Sequence, residues 1–289
     1  MRILVIVVTY NGEKWIEKCL SSIAPDLGID GIVIDNGSTD KTLEIIKREF
    51  PYVKIENSEK NIGFGQANNV GFRYAIKENY DFVYLLNQDA WIAPRDILKL
   101  VEINNQYPEF GILSGLQVYK GKKRLDKDFL YSIPVDMINE LVLHKDNKEL
   151  YETDKIIPAA HWLLRTEVVK KIGGFSPIFI HFGEDNNLFD RNLFWKFKAG
   201  IVPSVMAVHD RELREPNKIF YERMLNGGLR FTVSDPNPSQ SVTYIVLKYF
   251  IKYSRKIPWE TIKVFFNVLV DMPNILKAKR ISREPGAFL

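Results

Sequence analysis

The first half of the chain alternates short apolar runs with longer amphipathic stretches. Residues 3–8, 31–34, 53–56 and 82–86 are rich in Val, Ile and Leu or aromatic residues, which predicts buried strands. Between them, residues 13–23, 40–50 and 65–76 carry apolar positions at helical spacing, the second preceded by Ser38 and Asp40 as capping residues. Strand and helix in strict alternation predict an α/β fold with a mostly parallel sheet flanked by helices. Ligands of such sheets bind beyond the carboxyl ends of the strands. Three polar clusters follow the strands at those ends, Thr9-Tyr10-Asn11, Asp35-Asn36-Gly37-Ser38 and Asn87-Gln88-Asp89, and are expected to converge in one cleft. From 111 to 160 the pattern loosens into short strand-like pieces and polar turns, as in substrate-specific loops. A helix is predicted over 166–172, ended by Gly173-Gly174, then a second over 184–198 and a strand over 201–208.

Composition adds limits. A chain of 289 residues with 46% hydrophobic and 26% charged residues suits one large globular domain with an appendage, which excludes disordered and fibrous classes. The single cysteine, Cys19, lies on a predicted amphipathic helix and reads as a buried thiol in a reducing, cytoplasmic compartment. The opening apolar run is too short for a secretory segment. No uncharged stretch reaches the ~20 residues a membrane span needs; the closest in character, 264–270, is flanked by Lys263 and Asp271.

The net charge of +4 is unevenly placed. Residues 241–289 hold nine Lys/Arg against three Asp/Glu, leaving a mildly acidic body. No zinc-finger, RRM-like or helix-turn-helix pattern accompanies the basic tail, so nucleic acid is not an expected partner. Apolar residues at helical spacing, Tyr244, Val246, Leu247, Phe250 and Ile251, then Ile262, Phe265, Phe266 and Leu269, predict two tail helices separated at Pro258. The division expected is a catalytic domain over 1–230 and a basic amphipathic helical region over 231–289. That region either packs on protein, as a core or homodimer element, or contacts an anionic membrane peripherally.

Taken together, the motifs Val-Val-Thr-Tyr-Asn-Gly (7–12), Ile-Asp-Asn-Gly-Ser-Thr-Asp (34–40), Asn-Ile-Gly-Phe-Gly (61–65) running on to Asn68-Asn69 and Gly71, Asn-Gln-Asp (87–89), and Gly-Gly-Phe (173–175) with Gly-Glu-Asp (183–185) stand in one order along residues 1–210. In combination they resemble family 2 glycosyltransferases with the GT-A nucleotide-sugar fold, and the 61–71 block resembles rhamnosyltransferase-like members. The resemblance implies that Asp35 or Asn36 reaches the base of a nucleotide-sugar donor, with Thr9 and Tyr10 beside base and ribose. It places Asn61, Gly63, Gly65 and Asn68 at the donor, where glycines permit close backbone approach and a helix N-terminus faces phosphate. The spacing of Gly63, Gly65 and Gly71 does not fit a dinucleotide fingerprint.

Asn87-Gln88-Asp89 occupies the position of the family's metal-binding Asp-x-Asp. The resemblance makes Asp89 the direct ligand of Mg²⁺ or Mn²⁺, with Asn87 and Gln88 beside the donor, and His209 a further ligand. A hard cation takes carboxylate and phosphate oxygens, so one carboxylate can suffice. By the same resemblance Asp185, beside Glu184, accepts the proton of the attacking hydroxyl in an inverting displacement. Each cluster also has an ordinary structural reading: Asp-Asn-Gly-Ser is cap and turn chemistry, Asn-Gln-Asp a turn after a strand, Glu184-Asp185 a helix first turn, and Trp162 a core aromatic rather than a sugar platform. The function implied is sugar transfer from a nucleotide-diphosphate donor, dTDP-rhamnose or a UDP-sugar, to a glycan or lipid-linked glycan of the cell surface, at the inner face of the membrane. The alternatives are a non-catalytic nucleotide-sugar-binding protein, which would not need Glu184-Asp185, and a nucleotidyltransferase, which would need a glycine-rich loop where only Gly12 stands.

Overall fold

The computed structural model describes residues 1–121, 123–143, 148–179, 182–211, 218–237, 241–254 and 258–289. Its centre is a nine-stranded sheet. Strand β1 (Ile3–Thr9) is apolar at nearly every position because both its faces are covered. Leu4 and Ile6 join one core with residues of helices on that side, while Ile3, Val5 and Val7 join the core on the other. Helix α1 (Ile16–Leu20) is shorter than the predicted 13–23, since the Gly12 carbonyl takes the Trp15 and Ile16 amides in a turn. Then follow β2 (Ile29–Asp35), α2 (Thr42–Glu49), β3 (Lys54–Asn57), α3 (Phe64–Lys77) and β4 (Phe82–Asn87). The strands pair in parallel in the order β3-β2-β1-β4. The register sets Thr9 opposite Asp35 and Val8 opposite Asn87, so three polar strand ends finish side by side.

The second half was less legible. After β4 come β5 (Ala90–Ile92), α4 (Pro94–Gln106), β6 (Phe110–Val118), α5 (Val135–Val142), β7 (Tyr151–Glu152), β8 (His161–Arg165), α6 (Thr166–Ile172), α7 (Glu184–Phe194) and β9 (Lys198–His209). Strand β8 runs antiparallel between β4 and β6, and β9 runs parallel to β6, so six strands share one direction and β5, β7 and β8 oppose it. Helix α7 ends before the predicted residue 198, because Lys196 takes a left-handed φ of 65° and the chain turns directly into β9. Where β9 crosses Gly115 the register slips, and a Cβ on that glycine would lie 2.8 Å from the Val205 carbonyl oxygen. Only glycine lets the bulged strand come so near.

Helices α3, α6 and α7 cover one face of the sheet, and α1, α2 and α4 the other. Beyond β9, α8 (Lys218–Ser234), α9 (Val242–Ser254), α10 (Pro258–Val270) and α11 (Met272–Ile281) share a third core around Leu225, Leu229, Ile245, Phe265, Val268 and Ile275. Pro258 opens α10, where its missing amide costs no hydrogen bond. Helix α8 runs through residue 230, and residues 286–289 return to the α/β body. Among the described residues no helix is long and apolar enough to cross a membrane.

Candidate active site

A cavity of about 960 Å³ opens at the carboxyl ends of β1, β2 and β4. Of the residues singled out in the sequence, Tyr10, Asn36, Asn61, Gly63, Asn87, Gln88 and Asp89 line it. Thr9, Asp35, Gly65, Asn68, Glu184, Asp185 and His209 do not, and the reasons differ.

Thr9 is buried, and its hydroxyl donates to Gln88 Oε1 at 2.8 Å. The same oxygen takes the Tyr10 amide at 2.9 Å, while Gln88 Nε2 donates to the Tyr10 carbonyl. Gln88 therefore ties the end of β1 to the turn after β4, and leaves the exposed Tyr10 ring at the cavity. Asp35 turns back on its own loop: its carboxylate accepts the Gly37 and Ser38 amides at 3.1 and 2.9 Å and the Ser38 hydroxyl at 2.5 Å. The next residue, Asn36, is the one that lines the cavity, its Oδ1 accepting the Ile62 amide at 3.3 Å.

Gly63 caps α3 with φ 84°, and Asn61 Oδ1 accepts its amide. Gly65 serves packing, since a Cβ there would lie 2.8 Å from Phe175 Cβ. Asn68 Nδ2 donates to the Phe64 carbonyl one turn back in α3. Asn69 grips Phe175 at both ends, its Oδ1 accepting the Phe175 amide at 2.7 Å and its Nδ2 donating to the Phe175 carbonyl at 2.9 Å. The Asn61–Gly71 and Gly173–Phe175 motifs thus form one packing unit beside the cavity.

Asp89 and His209 meet because β5 and β9 pair with Ala90 opposite His209. His209 Nε2 lies 3.4 Å from Asp89 Oδ1, and its Nδ1 lies 3.1 Å from Arg211 Nε. Burial would raise the Asp89 carboxyl, but the His209 contact and the Arg211 charge hold it below its ordinary value. His161, packed edge-on to His209, is pushed down to about 3 by burial and by that neighbour. Its Nε2 sits 3.0 Å from the Val208 carbonyl and must donate, so Nδ1 accepts from the Tyr84 hydroxyl. Trp162 is fully buried, with its indole N–H on the Ile157 carbonyl, which makes it a core residue rather than a sugar platform.

Glu184 and Asp185 begin α7 after the left-handed Gly183 and are both partly buried. Burial, and then the Asp185 charge, raise Glu184 to about 7. Asp185 is raised by burial, with the Arg211 charge pulling the other way. Arg211 thus bears on both Asp185 and Asp89.

Sequence reasoning missed the far wall, where Arg223, Asn226 and Arg230 of α8 face the cavity together with Phe179 and Phe182. The signal was present: Arg223, Asn226 and Arg230 stand at i, i+3 and i+7 on one helix face. Arg230 donates to Asp271, to Asn226 Oδ1 and to the Ile178 carbonyl. Gly227 lets α8 close on the loop, since a Cβ there would lie 2.3 Å from the Phe182 carbonyl oxygen.

Known proteins resemble this chain in sequence and in fold. The chain is 36% identical over 152 residues to the poly(ribitol-phosphate) β-N-acetylglucosaminyltransferase TarS of Staphylococcus aureus, covering 50% of this chain and 26% of TarS. It is 23% identical over 232 residues to the N-acetylglucosaminyl-diphospho-decaprenol L-rhamnosyltransferase of Mycobacterium tuberculosis, covering 72% of this chain and 75% of that one. The chain spans about a quarter of the length of TarS and of another matched curated relative. In three dimensions the crystal structure of TarS residues 1–349 superposes with a TM-score of 0.58 at 18% identity, over 99% of this chain and 81% of that one. GalNAc-T7, crystallised with UDP, GalNAc and Mn²⁺, superposes at 0.60 and 16% identity, over 90% of this chain and 57% of that one. These neighbours give the fold, which is GT-A. Residues 4–173, more than half of the chain, match the profile of "Glycosyl transferase family 2", and the chain belongs to that family.

Proposed function

We propose that the protein is an inverting glycosyltransferase that moves a sugar from a nucleotide-diphosphate donor to a glycan or lipid-linked glycan acceptor of the cell surface, at the inner face of the membrane. The observation that carries this reading is the gathering of Tyr10, Asn36, Asn61, Gly63, Asn87 and Asp89 around one cavity at the strand ends. The donor is a UDP-sugar or dTDP-rhamnose: a TarS crystal structure holds UDP-GlcNAc, and the mycobacterial relative is a rhamnosyltransferase. In this reading residues 1–230, which include the cavity-lining part of α8, carry the transfer chemistry, and 231–289 form an attached region.

The residues present fit a divalent cation. Asp89 and His209 face each other at 3.4 Å, and the buried Asn87 Oδ1 has no protein partner. Among the described residues no cluster of three or more His, Cys, Asp or Glu side chains could hold a metal alone, so donor phosphates would complete the shell. Asp89 and His209 would hold Mg²⁺ or Mn²⁺, which when bound neutralises charge on the departing diphosphate. Arg223, which lines the opposite wall, would meet the same charge from that side. Asn36 and Tyr10 hold the nucleoside. Asp185 takes the proton of the acceptor hydroxyl as its oxygen bonds the anomeric carbon and the bond to the diphosphate breaks.

Thermal unfolding with a panel of nucleotide sugars, with and without Mn²⁺, tests the site. One donor should raise the melting temperature, because a ligand of the folded state stabilises by mass action, and the rise should shrink with EDTA or in Asp89→Ala. Release of nucleoside diphosphate should accompany transfer; release of pyrophosphate would make the protein a nucleotidyltransferase, and binding without turnover a carrier. Unchanged transfer after thorough chelation would remove the metal from the reaction.

A further inference from the structure

Helices α9 and α10 each bury one face in the helical core and leave the opposite face apolar. On α10, Val264, Phe265 and Val268 are buried at 5%, 6% and 1% exposure. Trp259, Ile262, Phe266 and Leu269 stand at i, i+3, i+7 and i+10 on the other side, exposed by 80%, 51%, 67% and 55%. On α9, Ile245 points into the core, while Leu247 and Ile251, one turn apart, are exposed by 56% and 55%. The Phe250 and Phe265 rings touch edge to face at 5.1 Å, so the helices adjoin and their outer stripes form one surface. Soluble proteins rarely present a contiguous apolar patch beyond a few hundred Å², and a larger one marks a binding face.

We propose that this α9–α10 face docks on an anionic lipid surface, with Trp259 and Phe266 entering the headgroup and acyl boundary. Charge decides between lipid and a second copy of the chain. Lys248 and Lys252 are exposed on α9, Lys263 is exposed on α10 with its ammonium 3.5 Å from Glu222 of α8, and residues 241–270 hold five Lys/Arg against one acid. An isologous dimer through this face would set two such basic surfaces against each other, whereas an anionic bilayer attracts each lysine and accepts the apolar stripe. An indole at a helix end suits the bilayer interface, where one edge is apolar and the other wet. The proposal deepens the placement at the inner membrane face but rests on this surface alone, whatever sugar is transferred.

Flotation of the full chain with vesicles tests it, comparing phosphatidylcholine alone with phosphatidylcholine containing 30% phosphatidylglycerol. The protein should float with the anionic vesicles at low salt, at least ~10-fold more tightly than with neutral ones, and detach as salt rises. Trp259→Ser/Phe266→Ser, and separately Lys248→Glu/Lys252→Glu, should each weaken binding by ~10-fold or more. These side chains are exposed, so melting temperature and its shift with donor should stay as in the parent, which separates loss of lipid binding from loss of the sugar-nucleotide site. No flotation with anionic vesicles, or flotation of both double variants equal to that of the parent, overturns the proposal. So does a dimer in sedimentation equilibrium that Trp259→Ser/Phe266→Ser dissolves, since the face would then join two copies.

Discussion

Two carboxylates at the start of α7 are held in different states from the one at the end of β4. Asp89 stays ionised because the His209 ring and the Arg211 charge outweigh its burial. Burial, and then the Asp185 charge, raise Glu184 to about 7, and burial raises Asp185 as well. An ionised carboxylate suits phosphate-bound metal, whereas an acid lifted toward neutrality suits proton abstraction at physiological pH. Burial lifts the Asp185 carboxyl above its ordinary value, and a base works only when deprotonated, hence transfer should rise as pH climbs through that raised value and level off above it. Asp185→Asn should keep donor affinity, measured by thermal shift, while transfer falls by at least ~10²-fold. Near-parental transfer by that variant would take Asp185 out of the mechanism.

Helix α7 also carries Asp190, one turn and a half beyond the base, and its surroundings make the helix sensitive to pH in the opposite sense to Asp89. Burial, and then the charge of Asp235, raise Asp190 from 3.8 to about 7, and burial raises Asp235 too. The groups facing this pair are Lys279 and Arg283, which pull Asp235 down. An acid raised by folding binds its proton more tightly in the native chain, so its contribution is fully present below the unfolded value of 3.8 and is lost as pH climbs to about 7. Asp190→Asn should therefore raise the melting temperature above pH 7, by roughly 2–4 °C for each kcal/mol relieved, and change little below pH 4. Scanning melts from pH 4 to 8.5 check it; a parallel offset at every pH would assign the effect to packing. Elements of this kind were unevenly legible in the sequence. Strand β1 announced itself because a fully covered parallel strand is apolar at nearly every position. Strand β8, His161–Arg165, is just as central, but five residues ending in Arg and opening with His carry no period, and its place is set by pairing with β4. Strand β6 was obscured by Gly111, Ser114, Gly115 and Gln117, which serve close approaches and buried hydrogen bonds. The site divided likewise. Strand-end residues could be read because topology alone gathers them, while the α8 wall depends on a long-range return of the chain.

Across the whole molecule, residues 286–289 bind the helical region back to the sheet domain at the Gly173–Phe175 motif. The Gly174 amide donates to the Ala287 carbonyl at 2.7 Å, the Gly286 amide to the Lys171 carbonyl at 3.2 Å, and Asn69 Nδ2 to the Phe288 carbonyl at 3.4 Å. Gly173, at φ 83°, lies so near that a Cβ would sit 2.0 Å from the Ala287 carbonyl oxygen. Beneath them Arg191 is fully buried, its guanidinium donating to the Ile172 and Gly174 carbonyls and lying 5.0 Å from the Phe288 ring centre. Burial drops its pKa to about 9, and the Phe288 ring face offsets part of the cost of holding a cation away from water. Removing residues 286–289 takes away the Phe288 ring over Arg191 and three hydrogen bonds, and leaves the Gly174 amide and the Lys171 carbonyl without these partners. A chain ended at Pro285 should lose on the order of 2–4 kcal/mol by denaturant unfolding, from unmade buried hydrogen bonds and lost packing. Phe288→Ala, which keeps the backbone contacts, should lose less, and Phe288→Leu should recover part of the difference through packing without an aromatic face. Donor-induced thermal shifts should survive in both point variants, because none of these groups lines the cavity. If the shortened chain unfolds at the same denaturant concentration as the parent, the return of residues 286–289 contributes nothing to holding the two parts together, and α8 carries that task through contacts such as Arg230 on the Ile178 carbonyl and Asn187 on the Ser234 hydroxyl.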